Sequence, residues 1–200
     1  MATLTGKQVA VLVADGFEQS ELVEPRRALE AEGAIVRIVS PAKGQVQGFI
    51  HHDKGARLTV DVDLEAADVA DFDALVLPGG VANPDQLRML PRAVQFVRDF
   101  FDADKPVAVI CHGPWTLIEA GIVRGRTLTS WPSLKTDLVN AGANWEDKEV
   151  VVDNNLVSSR KPADLPAFNR EMIRLFARAA AGRGAGGARR GARDLRGGIH

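Results

Sequence analysis

Lys105–Trp115, KPVAVICHGPW, is the stretch on which the fold turns. Its apolar run Val107–Ile110 ends at Cys111, the one cysteine in 200 residues, with His112 and Gly113 directly after it. A short run rich in valine fits a strand buried on both faces. The segment Gly113–Val123 then reads as a short helix stopped by Gly121. A buried structural cysteine has no need of this position. This one sits where a strand stops and a helix starts.

The same pattern repeats outward from that point. KQVAVLVADG (7–16), AIVRIVSP (34–41) and FDALVLPGG (72–80) read as strands closed by turn residues. Between them, ELVEPRRALEAEG (21–33) and PRAVQFVRDFFDADK (91–105) carry helical spacing, the second with proline near its start. SLKTDLVNAGA (133–143) and ADLPAFNREMIRLFARAAA (163–181) read as further helices, Ser133 being a possible N-cap. Apolar strands alternating with helices predict an α/β protein, a mainly parallel sheet between two helix layers. Two stretches depart from this: VQGFIHHDKGARLTVDVDL (46–64), a β excursion, and EVVVDNNLVSSR (149–160), a hairpin across Asn154-Asn155. Both are expected as antiparallel additions.

Composition narrows the partners. The formal net charge is −1, which gives no bulk reason for binding nucleic acid or an acidic membrane. One cysteine excludes an internal disulfide, and the early apolar run is broken by Asp15, too soon for a leader. No run is long enough to span a bilayer, so the expected location is cytoplasmic. Residues 182–200 hold five arginines, one aspartate and seven glycines. So little apolar surface cannot offset ordering entropy, and a flexible Gly/Arg-rich tail is expected to follow one domain over 1–181. It lacks the aromatics that stack bases, so no nucleic-acid partner is expected.

In an open parallel sheet, ligands bind beyond the carboxyl ends of the strands. Those ends carry Asp15 and Glu18; Gly79, Gly80 and, a little later, Asp85; and Cys111, His112 and Gly113. That is a part list for a thiol nucleophile. A helix start at Gly113–Trp115 would favour a thiolate, Gly113 would let the helix approach the sheet, and the N–H groups of Gly80 and His112 could form an oxyanion hole. Glu18 could hydrogen-bond the sulfur if protonated, or repel it if charged. Each has a plainer reading: a cysteine as a small core residue, Glu18 as a helix start, Asp85 as a cap. His51-His52-Asp53 lacks a matching ligand cluster, so no metal is expected, and no phosphate-cradling motif is present.

The segments AVICHGPWTLIEAGIVRGRTLTS, NAGANWEDKEVVVDNNLVSSRKPADLPAFNREMI, ALVLPGG and DGFEQSEL resemble the PfpI branch of the ThiJ/PfpI superfamily, from about Lys7 to Ala177. The resemblance implies a flavodoxin-like three-layer sandwich with Cys111 as nucleophile on a nucleophile elbow. It implies Glu18 as the carboxylate neighbour and His112 as the imidazole. It also implies a homodimer or hexamer in which Asp85 completes a neighbour's site. Trp115 and Trp131 stand where relatives often carry other residues, and Trp131 is expected to shape the binding pocket. A class I amidotransferase is excluded, because the only histidine after His112 is His200.

Three functions remain open. One is a cofactor-free stress-response enzyme of the glyoxalase or deglycase type, acting on reactive aldehydes or glycated substrates. The second is an intracellular cysteine peptidase using Cys111, His112 and Asp85. The third is a redox sensor or chaperone with an oxidisable thiolate.

Overall fold

The structure, a computed structural model, describes residues 3–187, with the backbone alone from 180 onward. In chain order the elements are β1 (Gln8–Leu12), β2 (Phe17–Glu18), α1 (Gln19–Ala31), β3 (Ile35–Ser40), β4 (Gln45–Ile50), β5 (Asp53–Thr59), β6 (Val62–Asp63) and β7 (Ala74–Leu77). There follow α2 (Ala82–Arg88), α3 (Pro91–Asp102), β8 (Val107–Ile110), α4 (Pro114–Glu119), β9 (Thr127–Leu128), α5 (Lys135–Asn140) and β10 (Asn144–Trp145). β11 (Val150–Asp153), β12 (Leu156–Ser159) and α6 (Leu165–Gly187) complete the chain.

Seven strands form the central sheet in the order β11-β12-β8-β7-β1-β3-β6. Every pairing is parallel except that of β11 with β12. The apolar runs earn this position by serving both faces. Ala10, Leu12, Val107 and Val109 enter one buried cluster with Phe96, Phe100, Leu117 and Leu138. Their neighbours Val9, Val11, Ala108 and Ile110 enter the other, with Leu22, Leu29, Phe168 and Met172. Alternate side chains point to opposite faces, so each face needs its own helix layer. α1 and α6 cover one face and α2–α5 the other, giving the three-layer α/β sandwich expected.

The hairpin across Asn154-Asn155 is present, with Val150 opposite Ser159 and Asn154 at a φ of 53°. The β excursion is more elaborate than expected. β4 and β5 pair antiparallel, but with β2 they build a separate three-stranded sheet, while β6 rejoins the main sheet beside β3. A 3-10 turn at Pro132–Leu134 precedes α5, so Ser133 is not its cap. The closing helix runs to Gly187 rather than ending near Ala181; its alanines and arginines carry helix propensity past the first glycine. The rest of the Gly/Arg-rich tail lies outside the described residues. Among those described, no helix is long and apolar enough to cross a membrane.

Candidate active site

Cys111 follows the last residue of β8 and has a φ of 63°, a left-handed conformation that a side chain with a Cβ rarely adopts. The chain is held there from both sides. The Cys111 N–H donates to Ser159 O at 3.1 Å, and its carbonyl accepts from the Trp131 N–H at 2.9 Å. Such strain survives only when the surroundings over-determine it. Its effect is to turn the chain sharply into α4 and to present the sulfur at the sheet's carboxyl edge, the geometry of a nucleophile elbow.

The glycines expected around it are required by space. A Cβ on Gly113 would lie 2.8 Å from both Leu77 O and Val109 Cγ2, so α4 can sit this close to the sheet only with glycine there. A Cβ on Gly79 would lie 2.6 Å from Cys111 Cβ and from Glu21 Oε2 at once. Gly80 has a φ of 76° and packs on the backbone of Gly16 and Glu18. Its N–H and that of His112 are directed at the Cys111 sulfur, the pair expected for an oxyanion hole.

The carboxylate at the sulfur is Glu21, which corrects the expectation of Glu18. Glu18 ends β2 and stands at the N-cap of α1, where its side chain turns toward the β4–β5 hairpin. Glu21, one helical turn on, points inward. It is wholly buried, accepts the Gly79 N–H at 2.8 Å through Oε2, and interacts through its side chain with Cys111. A signal was available in the sequence: Glu21, Pro25 and Leu29 lie four apart on the buried face of α1, so Glu21 is a charged residue at a core position of a helix.

Burial raises the Glu21 carboxyl from 4.5 to about 8, against the opposing pull of the Gly79 N–H. Near neutrality it therefore keeps its proton. Burial also pushes the Cys111 thiol up, an ionised Glu21 pushes it further, and the Gly80 and His112 N–H groups pull it down. Contrary to the expectation from the sequence, the helix start alone does not make a standing thiolate; α4 has only six residues and Cys111 is 6% exposed. With Glu21 protonated the charge repulsion disappears, and its O–H becomes a possible donor to the sulfur.

His112 lies beside the thiol, Nδ1 to Sγ 3.2 Å. Burial lowers its pKa, so the imidazole is neutral near pH 7 and able to accept the thiol proton. The ring is clamped between Trp131, stacked at a centroid distance of 5.8 Å and 23°, and the edge of Trp115 at 5.3 Å. Trp115 is fixed in turn by its Nε1–H donating to Asp137 at 2.9 Å and by the Arg88 guanidinium 4.7 Å above its ring. Sequence reasoning missed this outer support, because Arg88 and Asp137 meet Trp115 only in the fold. Asp85 is half exposed in α2 and bonds Arg88 at 2.6 Å rather than reaching His112 in its own chain. Among the described residues no group of three or more His, Cys, Asp or Glu is placed to hold a metal.

The sequence model of the DJ-1/PfpI family matches residues 7–175. A deglycase of Pyrococcus horikoshii is 47% identical over 169 residues, which cover 84% of this chain and 99% of that one. General stress protein 18 of Bacillus subtilis is 44% identical over 173 residues, 86% of this chain and 98% of its own. Among solved structures, DJ-1β of Drosophila melanogaster superposes with a TM-score of 0.77 at 26% identity, covering 90% of this chain and 98% of that one.

Proposed function

The chain belongs to the DJ-1/PfpI family, and on that premise we propose that it is a Cys111-dependent enzyme converting reactive 2-oxoaldehydes and early glycation adducts to hydroxy acids. The observation that carries this is the placement of a thiol between a neutral imidazole and a carboxyl held protonated near neutrality. Deglycase and stress-protein names among its relatives support the same reading.

With methylglyoxal, the Cys111 sulfur attacks the aldehyde carbon while His112 Nδ1 takes the thiol proton. The carbonyl oxygen becomes the hydroxyl of a hemithioacetal, receiving a proton near the Gly80 and His112 N–H groups. The proton on that carbon is then removed and one is delivered to the adjacent ketone carbon, with His112 and Glu21 in reach as base and acid. One carbon is oxidised and its neighbour reduced, so no external oxidant or cofactor is needed. The product is a lactoyl thioester, which water cleaves to lactate and free thiol. With a glycated amine held as its carbinolamine, the sulfur attacks the same carbon, the C–N bond breaks, and the repaired amine leaves with the thiol proton relayed by His112.

The test is lactate formation from methylglyoxal without glutathione. Wild-type protein is expected to turn over and Cys111→Ala to lose at least ~100-fold, the scale of a lost nucleophile. No turnover by fully reduced, folded protein would overturn the proposal.

A further inference from the structure

Glu18 and the turn between β4 and β5 have no part in the chemistry proposed above. Glu18 is only 11% exposed through its side chain, and it is anchored: Oε1 accepts from the Ser20 hydroxyl at 3.3 Å and Oε2 from the His51 N–H at 3.0 Å. His51 opens the two-residue turn that closes on the Ile50–Asp53 pair, with a φ of 55°. Its Nδ1 is 3.9 Å from the same Oε2. Glu18 and His51 together separate two cavities, of about 420 and about 350 Å3, and line both.

The larger cavity is separated from the thiol by Gly80. Gly80 forms part of its wall, and the Gly80 N–H is directed at the sulfur. Its apolar surface comes from Phe49, Val81 and Ala82, and its polar surface includes Glu18, Asp15 and Gln86. Two carboxylates and two histidines, His51 and His52, thus line it, and among the described residues no lysine or arginine does. A carboxylate offers about four acceptor positions, and the bonds of Glu18 to Ser20 and His51 leave some of them open toward a ligand. The volume is in the range that holds a small organic group.

We infer that this cavity is a subsite for the cationic part of the substrate, with Glu18 as its specificity-determining residue. The inference rests on the reading of Cys111 as the reacting group. It narrows the substrate class to aldehyde adducts that carry an ammonium or guanidinium group a few bonds from the carbonyl carbon. The reacting carbon would sit at the sulfur and the positive charge beyond Gly80, against Glu18.

The test uses the single cysteine as its own reporter. Cys111 is modified with two methanethiosulfonates of similar size, one bearing trimethylammonium and one sulfonate, and the rates are compared within each protein. Wild type is expected to prefer the cationic reagent by about tenfold at low salt, on the scale expected for one nearby charge. Glu18→Gln should bring the ratio down severalfold, Glu18→Asp should retain most of it, and Glu65→Gln, an equal change of net charge on the exposed surface, should leave it unaltered. A wild-type ratio near unity overturns the inference, and so does a ratio that Glu18→Gln does not change. Because each ratio is taken within one protein, a general loss of thiol reactivity cancels, and Glu18→Ala, which also removes the charge, decides the matter if Glu18→Gln does not fold. Lactate from methylglyoxal is read on the same wild-type preparation. A charge preference without turnover sinks the proposed activity and keeps the subsite, whereas turnover without preference does the reverse.

Discussion

At the scale of single residues, Glu21 carries the most distinctive signature. Its carboxyl titrates at 4.5 in the unfolded chain and at about 8 in the fold. Below pH 4.5 both states hold the proton and nothing is lost. Between 4.5 and 8 the unfolded chain releases it while the folded protein keeps it, so stability falls as pH rises. Glu21→Gln cannot titrate. Its stability relative to wild type is therefore expected to grow across that window and level off above it, by up to roughly 5 kcal/mol at 1.4 kcal/mol per pH unit. Urea unfolding of both proteins at pH 4.5, 6 and 8.5 measures this; a difference that does not change with pH would show Glu21 to be ionised in the fold. This residue also marks the limit of what could be read without the fold. DGFEQSEL contains two glutamates three apart, both at a strand end that was correctly located. Only the start of α1 at Gln19 decides which of them turns inward.

At the scale of elements, the apolar strands and the turn residues were legible because they depend on local physics: burial on two faces, and φ values that asparagine and glycine tolerate. The segments misjudged depend on distant pairing. The hairpin of β4 and β5 joins β2 through Phe17 and Glu18 instead of extending the main sheet. No local pattern encodes that partner. The short helix α2, with Pro84 inside it, lies in a stretch where the sequence reading assigned no element. The elbow gives a test at this scale. Gly113→Ala places a Cβ 2.8 Å from a backbone oxygen, whereas Gly121→Ala meets nothing within 4 Å and is strained only through its φ of 74°. Gly113→Ala should cost about 2–3 kcal/mol through overpacking, and Gly121→Ala about 1 kcal/mol through backbone strain. Thermal unfolding of the two variants checks the order; a reversed order would mean that α4 is not held against the sheet as described.

At the scale of the whole molecule, the question is whether one chain makes a complete site. His112 has its thiol and its two tryptophans, but among the described residues no carboxylate partner is seen on the imidazole, and Asp85 faces outward with Arg88. We propose that Asp85 completes the site of a second copy. Mixing Cys111→Ala with Asp85→Asn subunits tests this. A hybrid dimer would join an intact Cys111 from one subunit to an intact Asp85 from the other. About a quarter of wild-type sites should then recover after random exchange of subunits in a twofold dimer. Activity of the mixture equal to the mean of its parents would place Asp85 in its own chain's service or in none.

The central claim is that Cys111 itself bonds the aldehyde carbon. The most direct measurement is the intact mass of the protein, and of the peptide bearing Cys111, quenched by acid during the first turnover of methylglyoxal. The account predicts a gain of one methylglyoxal on Cys111 that decays as lactate appears, and no such species in Cys111→Ala. Lactate formed at the wild-type rate by Cys111→Ala would contradict it.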